Sequence, residues 1–341
     1  MRRGATVLNG VIKEQVSVNG VSPVSHFSFV TWNVDGLLSK LDNLDFVIYI
    51  ASFDFISPVE TFVETFQSSL FPEHTIFCSP ALKLSTQGRR SGGIAALVRT
   101  NLLSLVREEE CRYDYILLFI IDKECFGLLK DTLFVCVYIP PTGSPYYRAA
   151  GTDNGIGVLE ECLAELQLSN DVHILLCGDV NARTSNTPYK VNNSFQTPEA
   201  HFHKDMDLFT RHSEDNEENG YGKMLFHMCS ALGLCILSGS SKGDLHGRYT
   251  YATGLGVTDY FIASEELYYT LLFSSELTVA EIIESSHFHV EFEITARNRN
   301  DVGITKYNKE KHFIRIVWKI EKNKKGSFST SNTVSPYTRT N

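Results

Sequence analysis

Residues 172–180 read VHILLCGDV, an apolar run that stops on a glycine and an aspartate. A run so short and so uniformly apolar, bounded by turn-forming residues, reads as a strand buried on both faces. Just past it, in CGDVNAR (177–183), Asp179 and Asn181 are two residues apart and point the same way from the strand's end. The same grammar recurs along the chain. FSFVTWNV (27–34) is β-branched and aromatic and ends near Asn33, and FDFISPVE (53–60) is a strand that must finish close to Pro58 and runs directly into Glu60. GGIAALVR (92–99), YILLFII (115–121) and TLFVCVYI (132–139) read as further buried strands, as do the short CILSG and DYFIA runs.

Helical periodicity is rarer. LLSKLDNLDFVIYI (37–50) places Leu37, Leu41 and Leu44 on one stripe, and a helix is expected over 155–168. GYGKMLFHMCSALGL (220–234) is amphipathic, with Gly233 suited to its C-cap. Many strands, fewer helices and no strict βαβ rhythm predict a mixed α/β sandwich rather than a Rossmann sheet. No internal repeat is visible.

IIESSHFHVEFEI (282–294) alternates from residue 287 onward, with His287, His289, Glu291 and Glu293 on one side and Phe288, Val290, Phe292 and Ile294 on the other. That is the period of a half-buried strand. Its two histidines admit three readings: metal ligands, one catalytic residue beside a bystander, or the wet face of the strand. The polar residues at the other strand ends are equally open on their own terms, since Asp and Asn are common in turns and N-caps.

Composition narrows the classes. The chain has 341 residues, 43% hydrophobic, with 22 Phe, enough for a substantial core. No apolar run approaches the ~18 residues of a membrane span, and the basic start MRRGATVLNGVIKEQ lacks the long apolar stretch of a signal peptide. The eight cysteines (78, 111, 125, 136, 162, 177, 229 and 235) are scattered without a C-x-x-C pair. An intracellular, reducing setting is expected, not a disulfide framework or a cysteine zinc site. Cys136 and Cys177 sit inside apolar runs as buried free thiols do. The net charge of -9 is uneven: residues 302–341 carry nine Lys+Arg against two Asp+Glu, leaving 22 basic and 38 acidic groups in the first 301 residues. An acidic body argues against a general nucleic-acid coat, which would present a basic surface. It leaves room for an enzyme that holds a phosphodiester through metal ions and a few arginines. The expected organisation is a flexible leader over 1–25, a folded domain over 26–297 and a basic, mostly disordered tail over 298–341.

Taken in order, TWNVDGL (31–37), VET (59–61), GRRSGGIAALVR (88–99), VYIPP (137–141), GDVNAR (178–183), GVTDY (256–260) and SSH (285–287) resemble the endonuclease/exonuclease/phosphatase superfamily. Within it the chain is most similar to the apurinic-like endonuclease domain of LINE-type non-LTR retrotransposons, through GDVNAR, RHSEDNEENGYGKMLFHMCSALGLCILSG (211–239), GDLHGRYTY (243–251) and YIPPTGSPYY (138–147). The likeness spans residues 27–294. It implies a four-layer sandwich of two mixed β-sheets flanked by helices, DNase I-like, and a phosphodiester hydrolase that uses Mg²⁺, with Mn²⁺ as a substitute.

The resemblance also implies roles. Glu60 would be the main metal ligand with Asn33 beside it, Asp179 would orient or deprotonate the water, and Asn181 would hold the phosphate. Tyr138 would be an active-site tyrosine, His287 would stabilise the phosphorane-like charge, and Asp259 would orient that histidine. Arg89 and Arg90, before the GG turn, are candidates for phosphate contact. His289, Glu291 and Glu293 keep the wet-face reading. Two departures stand out. The family's Ser-Asp-His is here Ser285-Ser286-His287, so a hydroxyl replaces a carboxylate that would face the metal. Thr258, before Asp259, replaces a small or apolar residue. The function expected is a DNA endonuclease domain of retrotransposon origin that nicks one strand and leaves a 3′-hydroxyl, weakened by Ser286. No reverse transcriptase follows in this chain, as though it were a truncated or stand-alone remnant, and a chromosomal substrate would require nuclear access. The alternatives are a degenerate domain that binds nucleic acid or protein without cutting, and an apurinic-type repair nuclease or phosphoester phosphatase.

Overall fold

The computed structural model describes residues 26–66, 71–150, 154–187, 211–271, 275–280, 285–296, 318–322 and 328–332. The leader over 1–25 lies outside them. Apolar β-branched and aromatic runs pair into two six-stranded sheets. The first has the order β11 (Ser275–Ala280), β12 (His289–Ile294), β1 (Phe27–Asn33), β2 (Phe55–Val59), β4 (Ile94–Arg99) and β3 (His74–Ser79). The second has the order β5 (Val106–Glu109), β6 (Ile116–Ile121), β7 (Thr132–Tyr138), β8 (His173–Asp179), β10 (Asp259–Ser264) and β9 (Leu234–Ile236). Each sheet is mixed: β1 runs parallel to β2 and β7 parallel to β8, while their other neighbours are antiparallel.

The sheets face each other across an aromatic core. Phe29 and Phe55 stack at 4.6 Å, and Phe134 meets both at 5.3 and 5.7 Å. Phe261 and Phe292 close the other side at 5.1 Å. Aromatic burial of this kind contributes about 2–3 kcal/mol per ring. Helices cover the outer faces. α1 (Leu44–Ile50) sets Phe46 and Ile50 against Val30, Trp32 and Ile56 of the first sheet. α2 (Lys123–Phe126) and α3 (Pro145–Ala150) are short connections. α4 (Gly155–Ser169) and α5 (Gly220–Leu232) bury Leu159, Leu163, Leu225 and Met228 against Ile174, Leu176, Tyr260 and Ile262 of the second sheet. α5 ends where Gly233 takes φ +62° as its cap, as its sequence implies. α6 (Glu265–Leu271) follows β10 directly. The result is the expected helix–sheet–sheet–helix sandwich.

Three local differences have physical causes. The stripe Leu37–Leu41–Leu44 does not form one helix with 45–50. Asn43 caps the helix, its side chain accepting from Asp45 N at 3.0 Å and Phe46 N at 3.4 Å, so the helix starts at Leu44. Leu37 is instead fixed by its own N–H, which donates to Thr61 O at 3.0 Å. The strands β3, β5 and β11 have no counterpart in the sequence reading; all three are edge strands, where polar residues dilute the apolar signal.

The third is a correction. His289 is fully buried and not on a wet face, because α1 lies over that side of β12. Tyr49 Oη comes within 2.6 Å of His289 Nε2, which lies 2.9 Å from Glu291 Oε1. The Tyr49 hydroxyl also donates to Glu291, and the Trp32 ring lies 5.4 Å from the imidazole. The alternation in the sequence is real, but the polar side is a covered layer. Glu293 at its end is half-buried, 3.4 Å from His26.

Residues 300–341 form a separate unit. Within it β13 (Trp318–Lys322) and β14 (Phe328–Asn332) pair antiparallel. Among the described residues no helix is long and apolar enough to cross a membrane.

Candidate active site

Strand register brings the polar strand ends together. Tyr138 on β7 is the register partner of Asp179 on β8, and Asp179 is the partner of Asp259 on β10. Three adjacent strands of the second sheet therefore present a hydroxyl and two carboxyls in a row. Gly178 makes the row tight: at φ +141°, an added Cβ would lie 1.9 Å from Val137 O. In the first sheet, Asn33 on β1 pairs with Val59 on β2, which sets it beside Glu60.

Glu60 sits in an unusual backbone position. Its φ is +52°, and Asn181 stands at φ +49°. Asparagine tolerates that region; a glutamate there costs on the order of 1–2 kcal/mol. The surrounding loops hold it in place. Gly36 N donates to Glu60 O at 2.8 Å, and Thr61 N and Phe62 N donate to Gly93 O and Gly92 O, each at 3.1 Å. The GG turn fits because a Cβ on Gly93 would come 2.6 Å from Thr61 Oγ1.

Hydrogen bonds join the two sheets at this end. Asn33 Nδ2 donates to Asp179 Oδ2 at 2.8 Å, and Asn181 N donates to Asp179 Oδ1 at 2.9 Å. Asn181 Nδ2 in turn donates to Ile139 O at 3.0 Å. The Tyr138 hydroxyl donates to Glu60. His287 Nδ1 lies 2.8 Å from Asp259 Oδ2, which also accepts from Thr258 Oγ1 at 3.0 Å. An Nδ1–H donating to the carboxylate leaves Nε2 as the free ring nitrogen. Ser285 Oγ donates to Asn33 O at 2.6 Å and accepts from His287 N at 3.2 Å, and Ser286 O accepts from Ala252 N at 2.9 Å. The Ser-Ser-His turn is thus pinned on both sides.

The electrostatics follow from this crowding. Asp179 is almost fully buried, and desolvation together with the negative charge of Asp259 pushes its carboxyl up to about 7, against the opposing pull of His287 and Asn33. For His287, burial works against the charged form, but the Asp259 charge and hydrogen bond, helped by Asp179 and Glu60, outweigh it and raise the imidazole to about 10. Burial, then Glu60, holds the Tyr138 phenol well above its ordinary value. Near neutral pH the site therefore holds an imidazolium and a carboxyl poised to lose or take a proton.

The donor set fits a hard divalent cation. Asp179, Asp259 and His287 bring one polar atom each within 4.8 Å of one another, and of these the two carboxyls, not the protonated imidazole, suit a cation. Glu60 and Asp179 both act on His287 through space, and Asp259 Oδ1 is buried with no hydrogen-bond partner. Three carboxyls face one imidazole, so negative charge is in excess. Carboxylate and amide oxygens are what Mg²⁺ or Mn²⁺ prefer.

The two arginines do not both reach this cluster. Arg89 is exposed on the Asn33 side, 3.0 Å from Asp35 and stacked 4.1 Å over Phe62; Asp35 N donates to Asn33 Oδ1 at 3.1 Å. Arg90 turns away, donating to Ala81 O at 3.1 Å and pairing with Glu64. Several supporting residues escaped the sequence reading. Thr250 Oγ1 accepts from both Thr258 N and Asp259 N at 3.0 Å. The Tyr251 ring lies 4.8 Å from the His287 ring. Arg183 binds Asp215 through two bonds, of 2.8 and 2.6 Å, and Asp215 accepts from Val257 N at 3.0 Å. Buried Arg211 donates to Thr184 Oγ1 at 2.7 Å and Ser185 O at 3.0 Å. Their signal was present as the motifs GRYTY and RHSED and, for Arg183, as the trailing arginine of GDVNAR, whose local roles only the fold reveals.

No protein-family model matches the sequence, and no curated protein matches it. Solved structures do. The AP endonuclease LMAP from Leishmania major is similar with a TM-score of 0.56 and 13% identity, over 80% of this chain and 89% of that one. The catalytic domain of Xenopus laevis APE2 gives 0.51 and 16% identity over 80% and 94%. The endonuclease domain of TRAS1, a telomere-specific non-LTR retrotransposon, gives 0.50 and 15% identity over 80% and 100%. These likenesses, together with two mixed six-stranded sheets between helical layers, show that the chain has the DNase I-like fold of the endonuclease/exonuclease/phosphatase superfamily.

Proposed function

We propose that this protein is a Mg²⁺-dependent phosphodiesterase, a DNA endonuclease that nicks one strand and leaves a 3′-hydroxyl. The observation that carries this reading is Asp179, hydrogen-bonded to Asn33 of the first sheet and lying close to the Asp259–His287 pair, whose aspartate stands on β10 of the second sheet and whose histidine precedes β12 of the first. Glu60 and Asn33 would hold the metal, with Mn²⁺ able to replace Mg²⁺. When bound, the cation neutralises charge on the phosphoryl oxygens and on the leaving oxygen.

The chain's own residues supply the rest. Asp179 at about 7 is matched to taking a proton from an attacking water at neutral pH. His287, held as an imidazolium by Asp259, donates toward the charge that accumulates on the phosphorus oxygens. Asn181 holds a phosphate oxygen beside it. Tyr138, hydrogen-bonded to Glu60, fixes that carboxylate and closes the edge of the site. Arg89 is the better placed of the two arginines to meet a flanking phosphate. DNA as substrate is supported by the kind of proteins that share the fold, among them a 3′ phosphatase from Neisseria bound to product DNA hairpin. Retrotransposon origin rests on the ordered motifs and on the likeness to the TRAS1 domain.

The test is conversion of supercoiled plasmid to the nicked form in Mg²⁺, with Asp179→Ala as control. Nicking by the parent and not by the variant is expected; equal residual nicking, or none in either, overturns the reading. Ser286 favours a second reading, a domain that binds without cutting, and this predicts DNA retention with no nicking in any divalent metal. An abasic-site oligonucleotide and a phosphoinositide in the same assay separate the repair-nuclease and phosphatase alternatives.

A further inference from the structure

A second chemically distinctive place lies beside the proposed catalytic cluster, on the loops next to Asn33 and Glu60. Phe62 stands there at φ +55°, a conformation that glycine takes freely and that is costly for an aromatic residue. Its N–H donates to Gly92 O at 3.1 Å, which holds the turn in place. The ring is only half-buried and packs against Gly36, where an added Cβ would lie 3.2 Å from Phe62 Cδ2. The Arg89 guanidinium lies 4.1 Å above the ring centre, and its side chain stays 69% exposed. Asp35 fixes the guanidinium from the side, accepting from Arg89 Nη1 at 3.0 Å.

We propose that Arg89, backed by Phe62, is a stacking platform for an unpaired DNA base that flanks the cleaved phosphodiester, and so determines specificity in the proposed reaction. The inference rests on the nucleolytic reading of the neighbouring cluster. The position suits a flanking nucleotide. Asp35 and Phe62 follow Asn33 and Glu60 by two residues each, a length of chain that spans at most about 7 Å. Asp35 N also donates to Asn33 Oδ1 at 3.1 Å, which ties the platform to the site.

Charge and shape together favour a base over a phosphate alone. Asp35 already pairs with Arg89, so the guanidinium has less charge to offer a phosphate. Its planar face is unaffected by that pairing. Nucleobases stack on aromatic rings and on guanidinium planes, and here the ring beneath and the carboxylate beside it hold the plane in place. The loop that delivers Arg89 is itself anchored. Leu82 and Ser91 exchange two N–H···O bonds of 2.9 Å, and Arg90 donates to Ala81 O at 3.1 Å and pairs with Glu64. A preformed plane loses little freedom on binding. A base inside an intact duplex has both faces covered by its neighbours, so only an unpaired or splayed one can use the platform.

The experiment measures the affinity of the full chain for two end-labelled duplexes of one sequence by fluorescence anisotropy, with Ca²⁺ in place of Mg²⁺ to hold cleavage off. One duplex is fully paired and the other carries a single unpaired adenine. The parent should prefer the second by about tenfold. Phe62→Leu and Arg89→Lys should each bring that ratio close to one without changing the salt slope, because neither alters charge. The lysine keeps a cation over the ring but has no plane. Arg89 is exposed, so Arg89→Lys reads the proposal on a folded protein even where Phe62→Leu loosens the turn. A parent without the preference, or either variant retaining it, overturns the proposal. So does an Arg89→Gln variant that weakens both duplexes equally and lowers the salt slope by about one, which is the mark of a phosphate contact alone. The plasmid assay separates this result from the nuclease reading. Nicking without the preference sinks only the platform, the preference without nicking sinks only the nuclease, and no binding to either duplex sinks both.

Discussion

Trp32 Nε1 donates to the carbonyl oxygen of His287 at 2.9 Å, across 255 residues of sequence. The indole, buried between α1 and the first sheet, thereby fixes the backbone from which the proposed charge-stabilising imidazole projects. Trp32→Phe keeps an aromatic ring but leaves that buried carbonyl without its donor and opens some space. The expected cost is about 2–4 kcal/mol of stability, with nicking reduced about tenfold by loss of alignment. Chemical denaturation and the plasmid assay measure the two effects separately.

Restoring Ser286→Asp should increase nicking in Mg²⁺. The added carboxylate would return the negative charge missing from the metal side, and a gain of about tenfold at low Mg²⁺ is expected from effects of this kind. A Mg²⁺ titration of the initial rate checks it. No gain at any concentration would show that Ser286 does not limit the site.

The pH dependence of stability has a defined sign for two groups. His287 is raised from 6.5 to about 10, so the stability it contributes is complete below pH 6.5 and lost as pH rises through about 10. Asp179 is raised from 3.8 to about 7, so the metal-free fold holds a proton that the unfolded chain has released, and stability falls between those values. Melting midpoints in chelator should fall across both windows. His287→Gln should flatten the upper one and Asp179→Asn the lower, and Mg²⁺ should lessen the Asp179 slope by stabilising its charged form.

Asp215→Ala should be among the more damaging substitutions away from the proposed chemistry. Asp215 is buried, takes two bonds from Arg183 and accepts from Val257 N two residues before Asp259. Removing it leaves the Arg183 guanidinium with only Glu217 and the Leu255 carbonyl and the buried Val257 N–H without an acceptor, at a cost of roughly 3 kcal/mol. A fall of about 6–10 °C in a thermal melt is the expected reading.

Much of this was legible in the sequence because buried strands advertise themselves. FSFVTWN, TLFVCVY and HILLCGD each became a strand, and the polar residue ending each one arrived at the same edge. The alternation in HVEFEI was read correctly as a strand. Its polar side was not, because nothing local says that α1 will cover it; His289 is buried by Tyr49, 240 residues away in sequence. Arg183 and Arg211 likewise look like surface cations until the loops they tie together are in place. Pairs that are distant along the chain leave no periodic trace. The stripe Leu37–Leu41–Leu44 failed for the opposite reason: a single asparagine, by capping α1 at residue 43, outweighed a pattern spread over two turns.

The bond from Asn33 to Asp179 joins one sheet to the other, and no strand pairing reinforces it. The proposed site therefore belongs to the junction of two halves and to neither half alone. A slip of an ångström between the sheets would disable the proposed chemistry while every ladder within them stayed intact. Warming should extinguish activity before it unravels the chain, so that function acts as the molecule's own gauge of how well its halves are seated.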